Sequence, residues 1–143
     1  MMPGAQFYHS FLVEELVPFI QSQYRVLDNE LTLKGDSGGG SQTLISMMLD
    51  DHANPVFKYH MAFDPFISGV GSFSVLIDQK GSSAMNKTLV ITGMRGGFHS
   101  SVSAFVNQLE TSELTELNVL HATYDLSHQD ATWAPFSLSL IHI

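Results

Sequence analysis

The sequence predicts an α/β fold, a mostly parallel sheet of about four strands flanked by helices on both faces. Two patterns predict it. Apolar residues recur at spacings of three and four in some segments and form short β-branched runs in others, and the two kinds alternate along the chain. A glycine-rich turn also joins one such strand to the helix after it.

In order, Tyr8, Phe11, Leu12, Leu16, Phe19 and Ile20 mark a helix from Tyr8 to Gln23, with Pro18 expected to bend it because its ring removes a backbone donor. Asp28-Asn29-Glu30 reads as a turn, and Leu31-Thr32-Leu33 as a buried strand. After Gly35-Asp36-Ser37-Gly38-Gly39-Gly40, a helix from Ser41 to Leu49 carries Leu44, Ile45, Met48 and Leu49 as its apolar stripe. Met47 and Met48 are expected to fill core. A second strand follows from Tyr59 to Phe63, ended by Asp64-Pro65, and Phe66 to Leu76 reads as loop with some helix. Thr88 to Thr92 is the clearest strand. Val102, Phe105, Val106 and Leu109 mark a helix, Leu117 to Tyr124 a strand, and Thr132 onward a last helix.

Composition excludes several classes. The 143 residues carry 6 Lys+Arg against 14 Asp+Glu, net charge −8, which leaves no basic footprint for nucleic acid. Hydrophobic residues make up 44%, too many for intrinsic disorder. No apolar stretch reaches the roughly 18 to 20 residues of a bilayer span, so no membrane partner is expected. The start, Met1 to Gln6, lacks the basic region of a signal peptide and assigns no compartment. With no cysteine, any nucleophile is a hydroxyl. Only 14% of residues are charged, where a soluble domain has about 25%, so the chain has more apolar surface than its length easily hides.

Gly35-Asp36-Ser37-Gly38-Gly39 satisfies two nucleophile signatures. It reads as the G-D-S-G-G of chymotrypsin-like proteases and as the G-x-S-x-G elbow of α/β-hydrolases. The protease needs its histidine and aspartate before the serine on an all-β fold, whereas here only His9 precedes Ser37 as a histidine and the surroundings alternate helix and strand. The elbow reading is favoured. A strand would lift Ser37 to the carboxyl edge of the sheet, and Gly35 and Gly39 would avoid collision across the strained turn. The Gly38 N–H, opening the next helix, is the candidate oxyanion donor. The bland alternative is a phosphate-holding glycine loop or a plain turn. In the elbow order the histidine follows the serine after a late strand, and His128 in Asp125-Leu126-Ser127-His128-Gln129-Asp130 meets that requirement as general base.

Together these blocks resemble the esterase family of α/β-hydrolases that includes esterase D-like and enterochelin esterase-like enzymes. Phe11-Leu12-Val13-Glu14-Glu15-Leu16-Val17-Pro18-Phe19-Ile20 with Tyr24-Arg25-Val26 is similar to the family's F-L-x-E-E-L-x-P-Y-I helix and Y-R-V turn, and Leu33 to Gly40 to its L-x-G-x-S-x-G-G block. Tyr59 to Pro65 and Tyr124 to His128 resemble two further blocks. The resemblance implies a serine carboxylester hydrolase with Ser37 as nucleophile and His128 as base, acting on a small-molecule ester with no cofactor and no metal. Family members commonly carry an acid just after the strand corresponding to Thr88 to Thr92, but Gly93-Met94-Arg95-Gly96-Gly97 has no carboxylate. Asp64, after the preceding strand, is the candidate acid, and some members work with a Ser-His dyad.

The family fold also places several strands before the first helix, one of whose loops gives a second oxyanion N–H. The resemblance therefore implies that residues 1–143 form a single but partial domain, the carboxyl half of an α/β-hydrolase. A homodimer or a missing amino-terminal half would be its partner. The contrasting expectation is a non-catalytic fragment or binding module associating through its exposed sheet edge. A metal-dependent hydrolase is a third, with Asp50-Asp51-His52, or His60 with Asp64, as nearest to clusters, though charged residues at a helix end explain the first more simply. Trp133 and Phe136 are expected to pack the last helix or to line an acyl pocket.

Overall fold

A computed structural model of the chain describes residues 4–27, 30–67, 70–131 and 133. Its strands are β1 (Thr32–Asp36), β2 (Tyr59–Phe63), β3 (Ala84–Gly96) and β4 (Thr115–Ser127), all parallel in the order β1-β2-β3-β4. Helices α3 (Gly38–Leu49), α4 (Val70–Lys80) and α5 (His99–Glu110) make the three crossovers. Four strands form where expected, β3 and β4 longer at both ends. Strand β1 instead begins one residue later, runs on to Asp36 and, lying at the sheet edge among the described residues, is exposed or half-buried rather than buried. The stretch read as loop with some helix becomes α4. The last helix expected from Thr132 onward lies almost wholly outside the described residues.

The helices cover one face among the described residues, not both. Helix α3 packs on β1 and β2, α5 on β3, and α4 against α3 and α5. Strand order explains the difference: when each strand is added on the same side of the last, crossovers of one hand all fall on one face, and covering the second face needs a reversal of order. The core lies under the helices, where Leu44, Met47 and Met48 of α3 meet Ala62, Leu89, Ile91, Val102 and Phe105. Phe73 packs edge-on against Phe105 at 5.1 Å.

The amino-terminal helix is divided into α1 (Ala5–Ser10), a π-helical stretch (Phe11–Leu16) and α2 (Val17–Gln23). Pro18 lies in the first turn of α2. The wider π turns just before it, with the Val17 N–H reaching back to Leu12 O, give its ring room that a regular helix interior would lack. This segment carries much of the unhidden apolar surface: Phe7, Phe19, Tyr24 and Leu27 are each at least 60% exposed.

At the amino end of the sheet, Lys87 of β3 is buried and its ammonium donates to Met47 O (2.9 Å) and Asp50 O (3.0 Å) while facing His52 Nδ1 at 3.0 Å. The cation thereby closes the carbonyl end of α3, where the helix dipole favours positive charge. Burial lowers the Lys87 pKa to about 8. The Asp50 carboxylate accepts the Val56 and Phe57 N–H groups. Asp50 thus stands at the end of α3 as expected, and there it is buried and clamps the following loop.

Candidate active site

Strand register builds the site. Asp36, Phe63 and Thr92 are aligned across β1, β2 and β3, so the next residues of the first two strands, Ser37 and Asp64, emerge side by side at the carboxyl edge. Both leave their strands with positive φ, 52° at Ser37 and 40° at Asp64. Such backbone costs about 1 to 3 kcal/mol per residue and persists only where its surroundings fix it. At Ser37 the N–H donates to Phe63 O (3.0 Å), and the carbonyl accepts the Ser41 and Phe66 N–H groups (3.1 and 3.0 Å). At Asp64 the N–H donates to Thr92 O at 2.9 Å. The ladder is in effect carried one residue past the end of each strand.

Gly35 is required by contact. A Cβ there would lie 2.2 Å from Gly39 O, inside the first turn of α3. The expected collision at Gly39 itself is not found: a Cβ there meets nothing within 4 Å. Gly39 contributes its carbonyl to the crowding and not its own missing side chain.

His128 is delivered by β4. Between Met94 and Gly96 the partner residues run from Tyr124 to Ser127, so β4 carries one extra residue there, and a bulge of this kind re-aims the side chains beyond it. A short 3-10 turn (His128–Asp130) follows. The Asp130 carboxylate accepts the Ser127 hydroxyl at 2.7 Å and the Ser127 N–H at 3.2 Å, which closes the turn.

These pieces place His128 between the other two side chains. Its Nδ1 is 2.5 Å from Asp64 Oδ2, and its Nε2 is 3.0 Å from Ser37 Oγ. A carboxylate only accepts, so we assign the proton to Nδ1, which leaves the Nε2 lone pair to accept the Ser37 hydroxyl. The Asp64 carboxylate is fully buried while the His128 side chain is 33% exposed. Oδ1 of Asp64 also accepts the Met94 N–H at 2.8 Å and the Phe98 N–H at 3.0 Å. A hydroxyl, an imidazole and a buried carboxylate in this order can deprotonate the hydroxyl and return the proton to a leaving group.

All three sequence candidates therefore meet, and Gly38, the first residue of α3, follows the serine directly. Sequence reasoning missed the end of β3 and the turn into α5, where the Met94 and Phe98 N–H groups hold the carboxylate and Gly97 leaves room for it. The signal was the Gly96-Gly97 pair between a strand and a helix, read only as lacking an acid. Ser41 was also missed; it is buried, and its hydroxyl bonds Phe66 O at 2.5 Å, tying the elbow helix to the loop after β2.

Other candidates stay apart from this centre. His60 and Asp64 are four residues apart along β2, about 13 Å at strand rise, and His52 faces the Lys87 ammonium. Among the described residues no group of three or more His, Asp or Glu could hold a metal ion, and no helix is long and apolar enough to cross a membrane. Trp133 is 72% exposed, and Phe136 lies outside the described residues.

Several solved structures share this arrangement of elements over part of their length. The BES protein from Bacillus cereus superposes with a TM-score of 0.63 at 22% identity, over 96% of this chain and 54% of that one. The enterobactin hydrolase IroE, in a complex with DFP, gives 0.63 at 17% identity over 96% and 54%. A ferulic acid esterase gives 0.64 at 15% identity over 94% and 58%. The fold is thus an α/β-hydrolase fold, and the chain spans a little over half the length of these structures. No curated protein sequence matches. Residues 2–138 match the family described as "Putative esterase", and the chain belongs to that esterase family.

Proposed function

We propose that this chain carries the catalytic half of a serine carboxylester hydrolase acting on a small-molecule ester. The observation that supports this reading is the continuous contact from Ser37 Oγ to His128 Nε2 and from His128 Nδ1 to Asp64 Oδ2. In the proposed cycle His128 Nε2 takes the Ser37 proton as Oγ attacks the ester carbonyl carbon. The tetrahedral oxyanion receives a hydrogen bond from the Gly38 N–H. Collapse breaks the bond to the alcohol oxygen, and the proton on Nε2 passes to that oxygen as it leaves. Water, deprotonated by His128, then attacks the acyl-Ser37 carbonyl, and the acid departs as Oγ regains the proton. Asp64 holds the imidazole in the required tautomer and stabilises the transient imidazolium.

A second oxyanion N–H in such folds comes from a loop at another strand, and one donor contributes on the order of 3 to 4 kcal/mol to the transition state. In this proposal it comes from polypeptide equivalent to the unmatched part of the solved structures, as a further segment, a companion chain or a second copy. The test is hydrolysis of p-nitrophenyl acetate by the purified chain beside Ser37→Ala. A burst of p-nitrophenol with acetyl mass on Ser37 is expected, and equal release by both proteins would refute catalysis by the chain alone.

A second reading is favoured by a different observation. Strand β1 is an edge strand among the described residues, and Phe7, Phe19, Tyr24 and Leu27, in the segment before it, are exposed. A non-catalytic module associating through that edge would also hide this surface. Sedimentation separates the two readings: association together with no Ser37 acylation supports the second.

A further inference from the structure

The β3–α5 turn contributes no side-chain acid, yet it touches both members of the Asp64–His128 pair. From its backbone, the Phe98 N–H reaches both carboxylate oxygens of Asp64, at 3.0 Å to Oδ1 and 3.3 Å to Oδ2. From its side chain, the Phe98 ring meets the His128 imidazole edge-on, with centroids 4.7 Å apart and planes at 67°. The same ring also packs on Phe66 at 5.2 Å, and the Phe66 N–H is bonded to Ser37 O. Gly97 lets this turn come so close: a Cβ there would overlap Asp64 Oδ2 and lie 3.1 Å from His128 Cβ.

We infer that Phe98 is a positioning residue that sets the plane of the His128 imidazole between Asp64 and Ser37. The His128 side chain is one-third exposed, so burial alone does not stop its ring from turning about the Cβ–Cγ bond. The hydrogen bond to Asp64 fixes one nitrogen, but rotation about that axis would swing Nε2 away from Ser37. The Phe98 edge contact, about 0.5 to 1.5 kcal/mol in such aromatic pairs, opposes that rotation. Because the backbone of the same residue holds the carboxylate, acid and base are referenced to one rigid point. This inference rests on the proposed serine chemistry.

The test compares the full chain with Phe98→Leu, Phe98→Met and Phe98→Tyr. Three quantities are read: the rate of Ser37 phosphorylation by diethyl p-nitrophenyl phosphate, followed by intact mass; the far-downfield proton resonance of His128 Nδ1–H; and the melting midpoint. Phe98→Leu is expected to phosphorylate roughly 10- to 100-fold more slowly, the loss that a misplacement of about 1 Å produces. Its downfield resonance should broaden into exchange while the melting curve stays cooperative, and Phe98→Tyr should restore both signals. Phe98→Met takes the place of Phe98→Leu if the latter fails to melt cooperatively. Labelling at the parent rate with the resonance intact would overturn the inference. Should the parent chain not label at all, the serine chemistry fails by itself and the resonance decides: present in the parent and lost without the ring, the positioning role holds; unchanged or absent throughout, it falls.

Discussion

The Asp64 carboxylate and the His128 imidazole, 64 residues apart in the chain, meet at 2.5 Å. Neighbouring strand ends bring them together. Asp64 follows β2, His128 follows β4, and between them the end of β3 and the turn after it approach closely enough for the Met94 and Phe98 N–H groups to bond the carboxylate. This carboxylate follows β2, one strand earlier than the position where the family resemblance would look for a catalytic acid.

That geometry makes Asp64→Asn informative. The Asn oxygen can still accept the Met94 and Phe98 N–H groups, so folding should survive. Its NH2 would then donate to His128 Nδ1, forcing the imidazole proton onto Nε2, where it cannot accept from Ser37. On the proposed mechanism kcat should fall by about 10⁴, measured as acylation rate, with an almost unchanged melting curve. An unaltered rate would remove Asp64 from the chemistry.

Two glycines of the same motif should behave in opposite ways. Gly35→Ala drives a Cβ against the Gly39 carbonyl at 2.2 Å, backbone that cannot yield, and should cost about 3 kcal/mol. Gly39→Ala fills open space inside α3 and should stabilise by about 0.5 to 1 kcal/mol through helix entropy. Urea unfolding of both variants reads the contrast directly.

Acid should destabilise the fold through buried histidines. Burial pushes the His60 pKa down from 6.5 to about 3, and burial beside Lys87 pushes His52 to about 4. The folded state therefore binds fewer protons than the unfolded chain below about pH 6.5, and stability is lost as pH falls from there toward 3. The slope is up to about 1.4 kcal/mol per pH unit for each such group, and less for the partly exposed His52. Comparing denaturant unfolding at pH 7.5 and pH 4.5, His60→Leu should shrink the pH difference by about 2 to 3 kcal/mol. An unchanged difference would show that His60 is not protonated on unfolding.

Lys87→Met keeps most of the side-chain volume but strands the Met47 and Asp50 carbonyls that the ammonium now satisfies. Each buried orphan costs about 1 to 3 kcal/mol. The variant should melt well below the parent, and labelling of Ser37 at low temperature should be preserved, because Lys87 lies at the opposite end of the sheet.

Much of this architecture is legible in the residues. The run Thr88 to Thr92 identified β3, the spacing of Val102, Phe105, Val106 and Leu109 identified α5, and the strand-Gly-Asp-Ser-Gly turn located Ser37. Helix α4 was less legible because Gly69 to Ser74 is rich in glycine and serine, so local propensity opposed a helix that packing against α5 stabilises. The low charge also finds its place, since large apolar side chains of the amino-terminal helix and of Tyr24 and Leu27 stand exposed.

By itself the sequence determined the strand and helix alternation, the elbow at Ser37 and the histidine that follows a late strand, because these depend on local periodicity and on turn chemistry. Only the tertiary structure decided that Asp64 meets His128, that Phe98 touches both, and that the helices share one face. Those relationships depend on strand order and on a one-residue bulge. Neither leaves a local mark, because each is set by how segments distant in the chain pair with one another.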